Sequence, residues 1–365
     1  MEDKLSRQQQ LCEQAFSAEN AGRFRSAVTD YRRALRLEKN NPTPYLYLGF
    51  VLNKMGERRA AAGVYSLACD LSPKVLNAWR NPEISKDIQL RSFDANNLVR
   101  TSFTQLHKST LAKYQRLHPA ADIQRIYDAV WCATHDSEFQ FKNAQQQPHL
   151  FYVPDLEASP IFDSSHYHWC QALEAAFEEI REEYYQLATN PGNVGEPYIG
   201  ANASALGESW KPLIGSKNWT SHHIYKNDQA DRLLIQQLPT TCALLEQAPL
   251  LKTHGQPREV LFSVLMGKQH IPPHYGLANT DMTVHLPLVT SSKAGMIVAG
   301  EKYLWQEGKA FLFDDSFLHE SWNDDSEPRV NLLFGAWHPG LSADEQNAVA
   351  ASFESREAWN KTRSI

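Results

Sequence analysis

The apolar positions of this chain follow two rhythms. Up to residue 133 they recur at helical spacing, and from residue 258 they alternate in short runs, as strands do. The helical part repeats itself. NAGRFRSAVTDYRRALRLEKN (20–40) and KMGERRAAAGVYSLACDLSPK (54–74) set Gly22 and Gly56, Ala27 and Ala61, Tyr31 and Tyr65, Ala34 and Ala68, and Leu37 and Leu71 each 34 residues apart, as are Ala15 and Gly49. That period, with small residues where helices approach closely, predicts a tetratricopeptide pair with Gly22 and Gly56 at the turns. Two repeats bury little surface, so a third helical element is expected on them. NLVRTSFTQLHKSTLAKYQRL and IQRIYDAVWCATH, within 84–133, have the patterning for it.

QFKNAQQQPHLFYVP (140–154) is a polar, proline-bounded stretch and marks a domain boundary. SSHYHWCQALEAAFEEIREEYYQL (164–187) reads as a helix capped by Ser164 or Ser165, and RLLIQQLPTTCALLEQAPLL (232–251) as a helix broken near Pro239. EVLFSVLM, MTVHLPLV, AGMIVAG, EKYLWQE, KAFLFDD, HESWND and RVNLLFGAW are short strands between turn residues, a pattern that suits a jelly roll. The expected fold is α+β. A tetratricopeptide pair (1–80) and a helical connector (81–145) precede a double-stranded β-helix, or cupin-like jelly roll (146–345), and a tail (346–365).

Composition narrows the function. The net charge of −6 and pI near 6.2 argue against nucleic acid as partner. Cys12, Cys69, Cys132, Cys170 and Cys242 are scattered, with no CxxC pair, so neither a disulfide framework nor a zinc ribbon is expected. No apolar run approaches the ~18 residues of a membrane span. MEDKLSRQQQL lacks the apolar core of a signal peptide, so a cytoplasmic protein without a membrane partner is expected. Asn202, Asn218 and Asn360 open glycosylation-type triplets, which arise often by chance.

The chemistry concentrates in two stretches. HIPPHYGLANTDMTVHLPL (270–288) holds His270, His274, His285 and Asp281. Pro272 and Pro273 forbid a helix, so HIPPH is not a helical zinc motif, and His274, at a strand end, is the better ligand candidate. FLFDDSFLHESWNDDSEPRVNLLFGAWHPG (311–340) holds His319 after a strand and turn, and Arg329 at the next strand's start. Arg329, Asn331 and Leu333 share one face, and an arginine inside a barrel needs an anion from protein or ligand. His274, His319 and Arg329 together have the layout of an iron oxygenase that uses 2-oxoglutarate. The usual third ligand is a carboxylate two residues after the first histidine. Here that position is Gly276, so spacing alone leaves iron open. Asp314-Asp315 reads as a turn, His338 as a strand terminator, and His166 and His168 as part of a solvated helix start.

REVLFSVLMGKQHIPPHYGLAN, VHLPLV, LWQEGKAFLFDDSFLHESWN and AWHPGL resemble the aspartyl/asparaginyl β-hydroxylase family, over a region of about 146–341. The resemblance implies Fe(II) held by His274 and His319 alone, with glycine where the carboxylate would be and water filling the gap. It implies Arg329 on the distal carboxylate of 2-oxoglutarate, with Ser263 and His285 helping to hold the keto acid. O₂ would be the other co-substrate, and succinate, CO₂ and an alcohol the products. The default substrate is an aspartyl or asparaginyl residue; another peptide, protein or amino-acid-like substrate fits equally, and the repeats can serve a protein partner. Relatives often carry arginine at the position of Asp281. With Asp281 and Thr283 in that strand, a neutral or basic substrate group is expected, unless Asp281 merely faces solvent. The rival readings are a jelly roll that has lost turnover, with the repeats as working surface, and a zinc hydrolase, for which no third ligand or general base stands out.

Overall fold

The protein is described by a computed structural model over residues 2–190, 192–201, 203 and 206–365; Asn202 lies outside the described residues. The chain forms two compact units. One comprises residues 1–117, 134–138 and 352–365, the other residues 118–133 and 139–351. The boundaries differ from the expected ones, because the connector is divided and most of the tail belongs to the helical unit.

In the first unit, α1 (Glu2–Asn20), α2 (Phe24–Leu37), α3 (Thr43–Lys54) and α4 (Arg58–Leu71) form two hairpins. Gly22 and Gly56 turn them with φ of +73° and +81°, where a Cβ is disfavoured. Gly49 lies against the Tyr65 ring, and a Cβ there would come within 2.4 Å of it. The third element is α5 (Lys86–Leu117), which adds Ala95, Leu98, Val99 and Phe103 to the repeat core. Asp94 on α5 accepts the Tyr65 hydroxyl at 2.7 Å. Buried Arg91 pairs with Glu19 at 2.9 Å and Asp87 at 3.0 Å. The segment 346–365 is largely helix, within Ala343–Lys361, and Trp359 meets Phe103 edge-on at 4.6 Å.

IQRIYDAVWCATH does not continue the helices. Only Gln124–Tyr127 is helical, and Val130–Trp131 pairs with Phe151–Tyr152. A β-branched and aromatic pair suits a ladder better than a helix.

The second unit is built on β1 (Trp219–Lys226), β2 (Glu259–Leu265), β3 (Gln269–His274), β4 (Asp281–Val289), β5 (Ala294–Val298), β6 (Glu301–Leu304), β7 (Phe311–Phe313), β8 (His319–Asn323) and β9 (Arg329–Trp337). The larger antiparallel sheet runs β7-β4-β9-β2-β1, with two-residue strands at its edges, and the smaller runs β3-β8-β5-β6. From β2 onward the chain crosses repeatedly between the two sheets, the winding of a double-stranded β-helix. Helices α6 (His168–Ala175) and α7 (Phe177–Thr189) back the larger sheet, where Ile180, Tyr184 and Leu187 join Phe262, Val284, Leu332 and Phe334 in one core.

Two sequence expectations change here. The expected helix over 164–187 opens as a 3₁₀ turn at Ser164–His166, capped by Asp163 through Ser165 N–H, and is interrupted at Ala176. Strand β1 was not expected at all. Its alternation is interrupted by a bulge between His223 and Tyr225. Among the described residues no helix is long and apolar enough to cross a membrane.

Candidate active site

His274 ends β3 and His319 opens β8, and the two are register partners across the ladder. An irregularity between Ile271 and His274, at the two prolines, brings the rings to a centroid distance of 4.1 Å. Each imidazole is anchored from behind. His274 Nδ1 donates to the Pro272 carbonyl at 2.8 Å, and His319 Nδ1 to the Phe317 carbonyl at 2.9 Å. A proton on Nδ1 leaves Nε2 as the lone-pair nitrogen, the tautomer a metal takes. Burial lowers the proton affinity of His274, and burial with the neighbouring His274 ring brings His319 down to about 3. Both shifts favour the neutral ring.

Gly276 faces the Asp315 carboxylate. A Cβ at Gly276 would lie 1.9 Å from Asp315 Oδ1, and Gly276 N–H donates to the Asp315 carbonyl at 2.6 Å. The space of a side chain at position 276 is thus taken by a carboxylate from the other stretch. Thr283 donates its hydroxyl to the same carboxylate at 3.0 Å. The turn reading of Asp314-Asp315 holds for Asp314, which accepts from Ser316 N–H at 2.9 Å and from the Gln146 amide at 2.6 Å. Asp315 sits in the same turn, but its carboxylate lies against Gly276 rather than closing the turn.

Arg329 is 2% exposed. Its Nη2 is 3.5 Å from Ser321 Oγ, and the Asn331 amide oxygen, suitably turned, accepts from Nη1 at 3.2 Å. Its Nε has no partner, and no carboxylate pairs with it among the described residues. Burial lowers it to about 10, so it remains a cation. Ser263, the register partner of Asn331, accepts from Trp219 Nε1 at 3.0 Å. His285 is buried between Trp305 and Phe313, and its Nδ1 has no partner. Burial, with Arg329 and His319 nearby, keeps it well below the usual histidine range. A buried guanidinium without an anion and an orphaned imidazole nitrogen fit an anionic ligand between them.

Asp281 begins β4 opposite Trp337 and shares a sheet face with Thr283 and His285. It is partly buried, not fully solvent-facing. Burial raises it to about 7, with Asp314 and Glu259 adding to the effect. Burial, Asp281 and Asp314 raise Asp315 well above the usual carboxylate range. His270 stands apart, exposed and bonded to Glu320 at 2.6 Å. His166 and His168 are exposed, and buried His338 follows the end of β9.

Sequence reasoning missed Trp219, Tyr198 and Trp210. Tyr198 stacks on Trp219 at 4.0 Å and 9°, and Trp210 meets His274 edge-on at 5.2 Å. The available signal was WTSHHIYK, whose Trp219, Ser221 and His223 alternate as a strand face does.

His274 and His319 pair across a ladder of the double-stranded β-helix, and the buried Arg329 opens another of its strands. Residues 174–339 match the family model for aspartyl/asparaginyl β-hydroxylase, and residues 21–56 match a tetratricopeptide model. The chain therefore carries a domain of the aspartyl/asparaginyl β-hydroxylase family together with a tetratricopeptide repeat. It is 29% identical over 209 residues to human aspartate β-hydroxylase domain-containing protein 2, covering 56% of this chain and 54% of that protein. It is 25% identical over 349 residues to aspartyl/asparaginyl β-hydroxylase of Mus musculus, covering 90% of this chain and 44% of the relative. The ornithine lipid ester-linked acyl 2-hydroxylase of Rhizobium tropici is 25% identical, over 48% of this chain and 59% of that protein. The chain spans about half the length of the curated relatives it matches.

Proposed function

We propose that the second unit is an Fe(II)- and 2-oxoglutarate-dependent oxygenase that hydroxylates an unactivated carbon of an amino-acid or peptide substrate. The observation that carries this reading is Arg329, a buried cation without an anion in the domain that pairs His274 with His319. In this assignment Nε2 of each histidine would hold the metal. Arg329 takes the distal carboxylate of the keto acid through its guanidinium fork. Ser263 offers its hydroxyl and His285 its free Nδ1 to the same ligand. Asp315 fills the side-chain space of Gly276, two residues after His274, and would offer a hydrogen-bonding carboxyl oxygen there. Bound iron and 2-oxoglutarate supply oxidising power from O₂, with release of succinate and CO₂. The residues of the chain position the reactants and exclude competing water. The default substrate is an aspartyl or asparaginyl residue, and the helical repeats are a candidate surface for a protein partner. Five cysteines without a disulfide suit a cytoplasmic location.

The test is an anaerobic titration of metal-free protein with Fe(II) and 2-oxoglutarate, following the visible charge-transfer band of the chelate. The band is expected in the wild type and absent in His319→Ala. Arg329→Ala should need at least about tenfold more keto acid, because it loses a buried charge-assisted pair. A folded, iron-bound wild type without the band would sink the assignment.

A further inference from the structure

We propose that Trp305 is a further donor to the keto acid, its indole N–H bonding the distal carboxylate beside Arg329. The inference rests on the oxygenase reading above and adds a binding residue to that site. Trp305 directly follows β6 and is 5% exposed. Its backbone N–H donates to the Ala294 carbonyl, at the start of β5, at 3.1 Å, which ties the residue to the smaller sheet. Its ring reaches side chains of the larger sheet. The centroid lies 5.1 Å from that of His285 on β4 and 5.6 Å, edge-on, from that of Phe311 on β7. The Arg329 guanidinium carbon is 5.8 Å from it.

Three buried nitrogens of this group have no partner among the described residues: Trp305 Nε1, Arg329 Nε and His285 Nδ1. All three residues are more than nine-tenths buried, and they come from three different segments of the chain. Leaving a buried donor unmade costs more than an ordinary hydrogen bond gains, so buried polar groups are paired as a rule. The chemistry of these three says what pairs them. An indole N–H and a guanidinium N–H donate and cannot accept. Their common partner must bring lone pairs. It must also bring negative charge, because Arg329 forms no ion pair among the described residues. A water molecule supplies the lone pairs without the charge. A carboxylate supplies both, with lone pairs on two oxygens for several donors.

The two donors divide the work. Arg329 supplies the charge. Trp305 supplies a fixed direction, since a ring packed against His285 and Phe311 cannot turn its N–H towards another acceptor. The ligand class that follows is a 2-oxo acid ending in a second carboxylate. A 2-oxo acid of the same length ending in a methyl group leaves both donors unmade.

The experiment is nuclear magnetic resonance of the indole N–H groups in the full chain, isotopically labelled on its nine tryptophans. Zn(II) serves as a redox-silent metal, and 2-oxoglutarate or 2-oxopentanoate is added. Trp305→Phe, which keeps an aromatic ring and loses the N–H, identifies the Trp305 signal. That signal should move downfield with 2-oxoglutarate, as a proton does on bonding a carboxylate, and stay in place with 2-oxopentanoate. Trp219 already donates to Ser263 and should move less. Calorimetry should show 2-oxoglutarate bound at least about fivefold more weakly by Trp305→Phe, as loss of one hydrogen bond to a charged group requires. Bound 2-oxoglutarate with an unmoved Trp305 signal overturns the proposal, and so does an unchanged affinity in the variant. Weaker binding caused only by altered packing in the variant leaves the wild-type signal unmoved, so the two readouts separate the roles. If the variant does not fold, the wild type decides: a downfield indole shift specific to 2-oxoglutarate supports the proposal, and its absence overturns it. The charge-transfer titration reports separately on the oxygenase reading. A normal band with an unmoved signal sinks this inference and spares that reading, and a moved signal without the band does the reverse. A wild type that binds no 2-oxoglutarate overturns both.

Discussion

At the scale of single residues, the site depends on which atoms are left without partners. The Nδ1 protons of His274 and His319 are spent on backbone carbonyls, while Arg329 Nε and His285 Nδ1 remain unpaired. Gly276 matters for what it admits. Its missing Cβ makes room for Asp315, so Gly276→Ala must displace that carboxylate or the β3–β4 loop. We predict that Gly276→Ala keeps the fold but weakens Fe(II) binding in the charge-transfer titration. An unchanged titration would show that Asp315 moves away at no cost to the metal. The residue types of this site were legible in the sequence. The contact between Gly276 and Asp315 was not, because 39 positions separate them and only the β3–β8 pairing joins their loops.

At the scale of elements, each repeat hairpin is set by one close approach. Gly49 on α3 admits the Tyr65 ring, and the period of 34 places Ala15 and Tyr31 at the equivalent positions of the first repeat. Gly49→Ala overpacks that contact and should cost about 1–3 kcal/mol in denaturant unfolding. Gly63→Ala on α4 is the control, since its Cβ would meet nothing closer than 3.8 Å. Helix propensity should then make it neutral or stabilising, by up to about 1 kcal/mol. Equal losses in both variants would refute the packing argument. The repeat was legible because helix packing demands small residues at a fixed spacing. Strand β1 was not, because WTSHHIYK combines alternation with a bulge. The turn of helix in IQRIYDAVW stops short because Val130 and Trp131 find strand partners about twenty residues on.

At the scale of the molecule, distant segments are joined by buried polar links. His338, fully buried, donates from Nε2 to the Glu157 carbonyl at 3.1 Å and accepts from Gly340 N–H at Nδ1. Both bonds require the neutral ring, and burial brings it down to about 4. The sign follows from linkage. A histidine with a depressed folded value binds its proton more readily when unfolded, so its neutral form supports the fold above about 6.5 and that support is lost as pH falls towards 4. Each such group costs up to ~1.4 kcal/mol per pH unit in that window. Urea unfolding of His338→Gln, whose amide can make both bonds, should depend less steeply on pH between 6.5 and 4. An identical slope in both proteins would remove His338 from the acid response. The sequence by itself determined the repeat period, most of the strands, and which residues are candidates to hold a metal and an anion, because each follows from local spacing and side-chain chemistry. Tertiary structure alone decided that the connector is divided between two units, that β1 delivers Trp219 to Ser263, and that Asp315 fills the space at Gly276. Those outcomes depend on pairings between residues far apart in the chain, and local patterning carries no information about which partner a strand or loop will meet.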